Sequence, residues 1–363
     1  MLAANPQLDY RVVAINDPGD AFAYPPVVRQ QLERESLTSL RDIAAYVNAS
    51  GADVVSLQHE FGLWGGFDGE FIIPFLDRLR LPVVATLHAV PLAESTFNRG
   101  NRLRLIAEIA QRVQHLVVFL PDARDYLIDG LGIQADTISV IPHGAPVFDL
   151  TRRDGARERL DVSDRLVLTT FGLLSRFKGI EDAIRALPPL VEACPRLLYL
   201  VLGRPHPYEP ADFYPGLQRL VAELGVEEHV RFVDRFLDDE ELADALVATD
   251  IYLTPYRDLA QVSSGTLTFA LSAGRCCVST PYVYARHALA DGRGVLVPPE
   301  DPVALTRALL PLLADAKLRE RYGRAAGEFG AALHGPEIGR RYLETLEAHA
   351  LPPRPLPSGR VLM

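Results

Sequence analysis

The chain has 363 residues, of which 48% are hydrophobic and 23% are charged, and its formal net charge at pH 7 is −10. This length accommodates two domains of ordinary size, and the composition is typical of a globular protein. The acidic balance argues against nucleic-acid binding as the main function, and no apolar run reaches the roughly 18 residues that a membrane-spanning helix needs.

The cysteines also limit the classes of protein to consider. Cys194, Cys276 and Cys277 are spaced neither as a disulfide framework nor as a zinc site. Residues 1–10 lack the basic region and the apolar core of a secretory signal. We therefore expect a cytoplasmic protein without a bound metal.

Short apolar runs rich in β-branched residues alternate with longer segments of helical periodicity. The predicted strands are residues 11–16, 53–58, 82–88, 115–120, 138–143, 165–172, 197–203, 230–234, 251–256, 276–280 and 294–298. The predicted helices include residues 68–79, 101–113, 180–193, 212–224, 239–247 and 302–314. Strands that are apolar on both faces and separated by helices indicate parallel sheets covered on both sides. The predicted fold class is α/β, with two doubly wound domains.

A highly charged stretch that contains glycine and proline, residues 144–164, indicates where the two domains join. We predict an N-terminal domain over residues 1–146 and a C-terminal domain over residues 147–334. Residues 335–350 are expected to form a helix that packs back on the N-terminal domain. The proline-rich residues 351–363 are expected to form a tail.

A turn with two cations follows the first strand of the predicted C-terminal domain. The strand leads into LLSRFKG, which contains Arg176 and Lys178, and a helix with regular apolar spacing follows. The amino end of a helix has unpaired N–H groups and partial positive charge, which suits phosphate. Arginine adds a fork of donors and lysine a point charge. The turn therefore predicts phosphate binding, and two solvated loop cations are the alternative.

A second turn of the same domain has the same properties. The strand at 251–256 leads to SSGT, residues 263–266, which opens a helix. Ser264 is a good N-cap residue, and Gly265 lets a ligand approach the backbone closely. An ordinary N-cap is the alternative, but two such turns in one domain favour an anion site.

Several segments resemble one family, in that family's order along the chain. In residues 165–315 they are FGLLSRFKGIEDAIRAL, LVLGRP, VRFVDRFLDDEELADALVATDIYLTPY, SAGRCCVST and DGRGVLVPPEDPVALTRAL, and the N-terminal half adds SLQHEFGLWGG, PVVATLHAV and ISVIPHG. The family is that of the retaining glycosyltransferases of family 4, the glycosyl transferases group 1. The resemblance implies the GT-B fold, in which two Rossmann-like domains with parallel sheets face each other.

For the C-terminal domain the resemblance implies a donor site. Arg176 and Lys178 match the arginine and lysine that bind the donor diphosphate in this family, without a metal, and they are the catalytic candidates. The candidates for further nucleotide contacts are Ser264, Gly265, Thr266, Gln261, Gly203, Phe236 and Leu237. Among these, the amides of the SSGT turn are expected to bind the same anion, and Phe236 and Leu237 to meet the nucleobase.

For the N-terminal domain the resemblance concerns residues that follow strands. His88 is the third catalytic candidate. It is similar to the family histidine that touches the donor sugar, and a packed or solvated histidine is the alternative. His59, Glu60 and Trp64 lie in a glycine-containing loop that is expected to shape the acceptor site, unless the loop is a structural turn and Trp64 a packing residue. His143 matches the HG pair of the family near the domain junction, and we interpret it as mainly structural, with a place near the acceptor left open.

The sequence departs from the family pattern in two respects. Gln261 and Phe269 stand where the family has two glutamates, of which the second hydrogen-bonds the nucleotide ribose. Phe269 cannot make that bond, which puts the donor identity and the rate in doubt. We also expect the N-terminal domain to lack the usual first strand and glycine-rich loop, since the strand at 11–16 resembles the second strand of the family.

The resemblance implies transfer of a sugar from a nucleotide diphosphate sugar, of the GDP-mannose or UDP-glucose type, to a hydroxyl acceptor with retention of the anomeric configuration. The donor is a substrate, and no cofactor is expected. The acceptor is expected to be a carbohydrate or a lipid-linked sugar; peripheral membrane contact and the oligomeric state stay open. The alternative is a catalytically weak or inactive GT-B protein that binds a nucleotide sugar or a partner enzyme. A Rossmann-type epimerase is disfavoured because no GxGxxG turn follows the first strand.

Overall fold

The computed structural model describes residues 5–20, 22–92 and 98–352. The chain divides into two units by its internal contacts. Unit 1 consists of Met1–Pro142 together with Gly339–Met363, and unit 2 consists of His143–Ile338. Both units are built from parallel strands and helices, which confirms the predicted α/β class.

The strands of unit 1 form two parallel sheets. They are β1 (Val12–Asn16), β2 (Val28–Glu33), β3 (Val55–His59), β4 (Val83–Leu87), β5 (His115–Val118) and β6 (Ile138–Val140). Among the described residues, β1 and β2 pair only with each other, and the other four strands form a sheet in the order β3-β4-β5-β6. Every residue of β4 is buried, as expected for an inner strand of a parallel sheet with both faces covered.

The helices of unit 1 lie between these strands. They are α1 (Leu37–Ala49), α2 (Ile72–Leu76), α3 (Arg99–Ala110) and α4 (Pro121–Leu131). The N-cap of α1 is Ser36, whose side chain accepts a hydrogen bond from the amide of Ser39. The helix α4 has a proline in its first turn, and its C-cap is Gly132 in the left-handed conformation, φ 66°.

Unit 2 contains one six-stranded parallel sheet. Its strands are β7 (Leu166–Phe171), β8 (Leu197–Leu202), β9 (Val230–Val233), β10 (Ile251–Thr254), β11 (Cys276–Ser279) and β12 (Gly294–Leu296), in the spatial order β12-β11-β10-β7-β8-β9. The chain order reverses between β7 and β10, which are neighbours in the sheet. In open α/β sheets, ligands bind at the carboxyl ends of the strands beside such a reversal.

The remaining helices complete the fold. They are α5 (Arg153–Arg159), α6 (Ile180–Ala193), α7 (Phe213–Glu223), α8 (Asp239–Ala248), α9 (Gly265–Ser272), α10 (Val283–Ala288), α11 (Pro302–Ala314), α12 (Ala316–Ala331) and α13 (Gly335–His349). The apolar side of α6, with Ile180, Ile184 and Leu187, is buried in the main core of unit 2. This burial fixes the turn that precedes α6 against the sheet.

The last helix, α13, is bonded to the strands of unit 1. The guanidinium of Arg341 donates to the carbonyl oxygen of Val140 at 2.6 Å. Thr86 in β4 donates to the hydroxyl of Tyr342 at 3.4 Å. Beyond the helix, the amide of Leu351 donates to the carbonyl oxygen of Asp53.

Two elements of the structure correct the sequence prediction. The predicted helix at 68–79 is replaced by a single turn, Phe67–Gly69, and the short helix α2. Asp68 and Gly69 have φ values of 53° and 84°, which a continuous right-handed helix does not tolerate. The strand β2 was not predicted, because its sequence VRQQLE is largely exposed and shows no apolar pattern.

Candidate functional site

The turn with the two cations lies at the carboxyl end of β7. A single helical turn, Arg176–Lys178, is followed by Gly179 in the left-handed conformation, φ 63°, and then by α6. A Cβ atom on Gly179 would lie 1.9 Å from the carbonyl oxygen of Pro255, which follows β10. The turn is therefore in direct contact with the segment that leads from β10 to α9.

Arg176 is half-exposed and is oriented by a buried carboxylate. Its Nε atom donates to Glu209 at 3.2 Å, and its backbone amide donates to the same carboxylate at 3.2 Å. Glu209 has a side-chain exposure of 7%. Because Glu209 binds Nε, the two terminal nitrogens of the guanidinium stay available for a second anion.

Lys178 reaches toward the second turn. Its ammonium group donates to the hydroxyl of Tyr256 at 2.7 Å and lies 3.9 Å from the centre of that ring. The hydroxyl of Tyr256 is in turn 2.8 Å from Oγ1 of Thr266. The cation of the first turn is thus connected to the start of α9.

The start of α9 has the properties of an anion site. Ser264 is the N-cap, and its side chain accepts a hydrogen bond from the amide of Leu267 at 3.3 Å. The amides of Gly265 and Thr266 have no acceptor among the described residues. Free amides at the first turn of a helix bind phosphate.

Close glycine contacts bring the strand ends together around this site. A Cβ atom on Gly172 would lie 3.3 Å from Cγ2 of Thr266, and one on Gly203 would lie 2.1 Å from the carbonyl oxygen of Gly172. Both glycines have positive φ values, 127° and 121°. The predicted nucleotide residue Gly203 therefore borders the turn after β7.

His143 also belongs to this neighbourhood. Its ring lies 3.4 Å from the position of a Cβ atom on Gly265, and its Nδ1 atom is 2.8 Å from the carbonyl oxygen of Gly144. Burial lowers the pKa of His143, against a smaller opposing effect of this hydrogen bond. The structure thus places His143 in unit 2, beside the amino end of α9.

The two residues that depart from the family pattern have no carboxylate to offer. Phe269 lies in a cluster of aromatic rings, with centroid distances of 6.2 Å to Phe171 and 6.3 Å to Phe148. The backbone oxygen of Gln261 accepts a hydrogen bond from the amide of Tyr284. An apolar surface therefore adjoins the anion site on the side of Phe269.

The two candidates for the nucleobase differ in exposure. Phe236 is 67% exposed, and the guanidinium of Arg204 lies 5.6 Å from its ring centre. Leu237 is partly buried and packs against a small apolar cluster beneath β8. An exposed ring beside an arginine offers a stacking surface, whereas Leu237 mainly supports the loop.

The candidates of unit 1 lie around the carboxyl end of β3 and β4. The Nε2 atom of His88 is 2.8 Å from the side-chain oxygen of Gln58, and the ring meets Phe119 edge-on. His59 is completely buried, and burial, followed by the charge of His88, lowers its pKa to about 4. Burial also raises the pKa of the neighbouring Glu60 carboxyl group.

Trp64 is only 6% exposed and packs on Phe75 at a ring distance of 5.1 Å. Its indole nitrogen points to the carbonyl oxygen of Gln58 at 3.5 Å. The buried position favours the packing role for Trp64 over stacking on a sugar.

Sequence reasoning missed three polar residues of the site: Glu209, Tyr256 and Arg257. Arg257 donates twice to the carboxylate of Asp182, at 2.8 and 2.9 Å, and its amide donates to the carbonyl oxygen of Phe177. These bonds hold the turn of Arg176 and Lys178 in place. For Tyr256 and Arg257 the available signal was the segment PYR at the end of a predicted strand.

Two further properties concern the described part of the chain as a whole. In residues 5–20, 22–92 and 98–352, no cluster of three or more His, Cys, Asp or Glu side chains has a geometry that could bind a metal ion. Over the same residues, no helix has both the length and the apolar character needed to cross a bilayer.

Comparison with known proteins adds independent findings. Residues 3–147 match the family model described as Glycosyltransferase Family 4, and residues 165–315 match the one described as Glycosyl transferases group 1. The chain belongs to glycosyltransferase family 4. This family membership confirms the resemblance on which the sequence interpretation was based.

Curated members of family 4 align with most of the chain. The D-inositol 3-phosphate glycosyltransferase of Corynebacterium efficiens is 30% identical over 297 residues, which are 75% of this chain and 68% of the relative. The phosphatidyl-myo-inositol mannosyltransferase of Mycobacterium leprae is 30% identical over 260 residues, 68% of this chain and 62% of the relative. A D-inositol 3-phosphate glycosyltransferase of Corynebacterium diphtheriae is also matched over only 62% of its length.

Solved structures share the fold of this chain. A sucrose-phosphate synthase from Thermosynechococcus elongatus superimposes with a TM-score of 0.72 at 20% identity, over 92% of this chain and 88% of that one. The Anabaena HepE protein in complex with UDP-glucose gives a TM-score of 0.71 at 16% identity, over 94% and 100%. At these identities the comparison shows the fold alone, and it confirms the GT-B architecture.

Proposed function

We propose that this chain is a retaining glycosyltransferase that moves a sugar from a nucleotide diphosphate sugar to a hydroxyl acceptor without a metal ion. The observation that carries the proposal is the contact between two phosphate-suited turns in unit 2. One turn supplies Arg176 and Lys178, and the other supplies the free amides at the start of α9. Membership of family 4 supports the transferase class.

In the proposed reaction the bond between the anomeric carbon and the diphosphate breaks, and a bond to the acceptor oxygen forms on the same face. The acceptor proton passes to the departing phosphate oxygen. Arg176, Lys178 and the amides of Gly265 and Thr266 stabilise the charge that develops on the diphosphate. Two side-chain cations and a helix terminus supply the charge that a divalent cation provides in other enzymes.

The donor and acceptor classes are part of the proposal. The names of the relatives described above mention inositol 3-phosphate and phosphatidyl-myo-inositol. A further relative, from Mycolicibacterium smegmatis, is named a GDP-mannose-dependent mannosyltransferase. We therefore propose a GDP-mannose or UDP-glucose type donor, and a hydroxyl of a carbohydrate or lipid-linked acceptor. A cytoplasmic location, proposed from the cysteine pattern, is compatible with the free thiols of Cys194, Cys276 and Cys277.

A catalytically weak protein that binds a nucleotide sugar is the second candidate. The aromatic surroundings of Phe269 favour it, because a carboxylate for the nucleotide ribose is lacking at that position. Release of free sugar from the donor, or its transfer to an acceptor, would identify the protein as an enzyme. Nucleotide binding without either reaction would identify it as the weak or inactive form.

The first experiment is a thermal-shift screen of the full chain against UDP, GDP and ADP. A nucleotide that binds only the folded protein raises Tm, and the rise grows with its concentration. We expect one of the three to raise Tm of the wild-type protein but not of Lys178→Ala. Turnover with the matching sugar nucleotide is expected to persist in EDTA, and complete loss that Mn²⁺ restores would contradict the metal-free mechanism.

A further inference from the structure

We infer that Tyr256 is a positioning residue that sets the ammonium group of Lys178 and couples it to the start of α9. This inference rests on the proposed function, since it assigns the role through the two groups proposed to bind the diphosphate. Tyr256 itself is 1% exposed. It is therefore placed to act on a ligand through its neighbours rather than by direct contact.

The backbone on either side of Tyr256 is fixed to the turn that contains Lys178. The carbonyl oxygen of Pro255 fits against Gly179, where there is no room for a Cβ atom. On the other side, the amide of Arg257 donates to the carbonyl oxygen of Phe177 at 2.8 Å. The backbone of Tyr256 therefore cannot move without moving the turn that contains Lys178.

The ring of Tyr256 is held as firmly as its backbone. It stacks on the ring of Tyr282 at a centroid distance of 5.1 Å and an angle of 17° between the ring planes. Tyr282 is itself 0% exposed. A buried, stacked ring offers its hydroxyl at one fixed position.

The hydrogen bonds through this hydroxyl form a directed chain. An ammonium group only donates, so Tyr256 accepts from Lys178 and can give its own proton to Oγ1 of Thr266. The hydroxyl of Thr266 is 3.3 Å from that of Ser264, the N-cap that accepts from the amide of Leu267. The chain therefore runs from the cation of one turn to the N-cap of the other.

The bond to Tyr256 matters because the lysine side chain is flexible. Its ammonium group sits on a four-carbon stem with many rotamers, and ordering that stem opposes ligand binding. The bond to Tyr256 and the ring beneath the ammonium group order it in advance, and two of its three protons stay available for a phosphate. The anion site therefore contains a cation whose position is fixed before the ligand binds.

The test is calorimetric titration of the full chain with whichever of UDP, GDP and ADP the wild-type protein binds. Tyr256→Phe keeps the ring and removes the hydroxyl, and we expect its Kd to rise about tenfold or more, as for a lost bond to a charged group. The matched control is Tyr199→Phe. That tyrosine is buried in the same unit, and its hydroxyl donates to Thr170 at 2.9 Å. We expect the control to bind like the wild-type protein.

A double-mutant cycle separates positioning from a structural effect. If Tyr256 acts through Lys178, Tyr256→Phe causes no further loss in a Lys178→Ala background. A purely structural role would weaken binding equally in both backgrounds and would overturn the inference, as would wild-type affinity in Tyr256→Phe.

If Tyr256→Phe does not fold, Thr266→Val interrupts the same series of hydrogen bonds. We expect it to weaken binding only when Lys178 is present, and wild-type affinity in this variant would also overturn the inference. A wild-type protein that binds none of the three nucleotides would overturn the proposed function together with the inference.

Discussion

Gly179 lies so close to the carbonyl oxygen of Pro255 that there is no room for a methyl group between them. A Cβ atom on Gly179 would lie 1.9 Å from that oxygen. The turn after β7 and the segment after β10 are therefore in contact, and a substitution at this contact should affect both the stability of the fold and ligand binding.

Replacement of Gly179 by alanine should destabilise unit 2 and displace the turn of Arg176 and Lys178. The left-handed φ of 63° and the backbone clash act together, so we expect a loss of about 2–4 kcal/mol in the free energy of unfolding. Gly225→Ala is the matched control, because Gly225 has φ 65° but nothing within 4 Å of its Cβ position. Its loss should be only about 1 kcal/mol. Equal urea midpoints for the two variants would show that the contact with Pro255 is unimportant.

The two cations should each be essential for nucleotide binding. Arg176→Ala and Lys178→Ala are expected to lower affinity or turnover about 10²-fold, the scale of a lost anion donor. Arg219→Ala removes an exposed arginine from α7 and should leave nucleotide affinity and turnover unchanged. Wild-type binding and turnover in both site variants would refute the diphosphate assignment.

His88 should affect the chemical step more than nucleotide binding. His88 belongs to unit 1, whereas the turns proposed to bind the diphosphate belong to unit 2. We expect His88→Ala to lower kcat about 10²-fold, with Kd for the nucleoside diphosphate nearly unchanged. A variant with normal kcat and weakened nucleotide binding would move His88 away from the donor sugar.

The stability of unit 1 should depend on pH through His115. This histidine is 5% exposed, lines a cavity of about 480 Å³ beside α13, and lies 4.4 Å from the ring of His349. Burial, followed by the charge of His349, lowers the pKa of His115 to about 4, against a smaller effect of Asp136. The folded protein then binds fewer protons than the unfolded chain between pH 6.5 and about 4, so stability falls as the pH falls through this window.

The measurement is urea unfolding of the wild-type protein and His115→Gln between pH 7.5 and pH 4. The wild-type protein should lose up to about 3 kcal/mol more than the variant over this window. At pH 7.5 the imidazole of His115 is neutral in both the folded and the unfolded state. Its titration should therefore contribute nothing to the free energy of unfolding at that pH. Parallel pH profiles would mean that His115 titrates alike in both states.

Much of the fold could be predicted because buried strands and helices have recognisable apolar patterns in the sequence. The inner strands of the four-stranded and six-stranded sheets are mostly apolar, and α6 and α11 have the bounds that periodicity predicted, 180–193 and 302–314. The strand β2 was missed because most of its side chains are exposed and form no apolar pattern. The helix at 68–79 was overextended because residues outside the local pattern surround Asp68 and Gly69. Asn101 and Arg102 donate to the carboxylate of Asp68, and a Cβ atom on Gly69 would meet Phe61 and Trp64.

The candidate site was only partly accessible from the sequence. Arg176, Lys178 and the SSGT turn could be identified because helix starts with cations and N-cap residues have a local signature. Tyr256 and Glu209 could not, since their roles come from contacts across 78 and 33 positions of the chain. Family membership and fold class are confirmed, while the roles of the individual site residues stay predictions.

The most direct test of the central claim is a crystal structure of the protein with the nucleoside diphosphate that raises its Tm. We predict diphosphate oxygens about 3 Å from the ammonium group of Lys178, the guanidinium of Arg176 and the amides of Gly265 and Thr266. An ordered diphosphate bound elsewhere, or held by a divalent cation in place of the two side chains, would contradict the account.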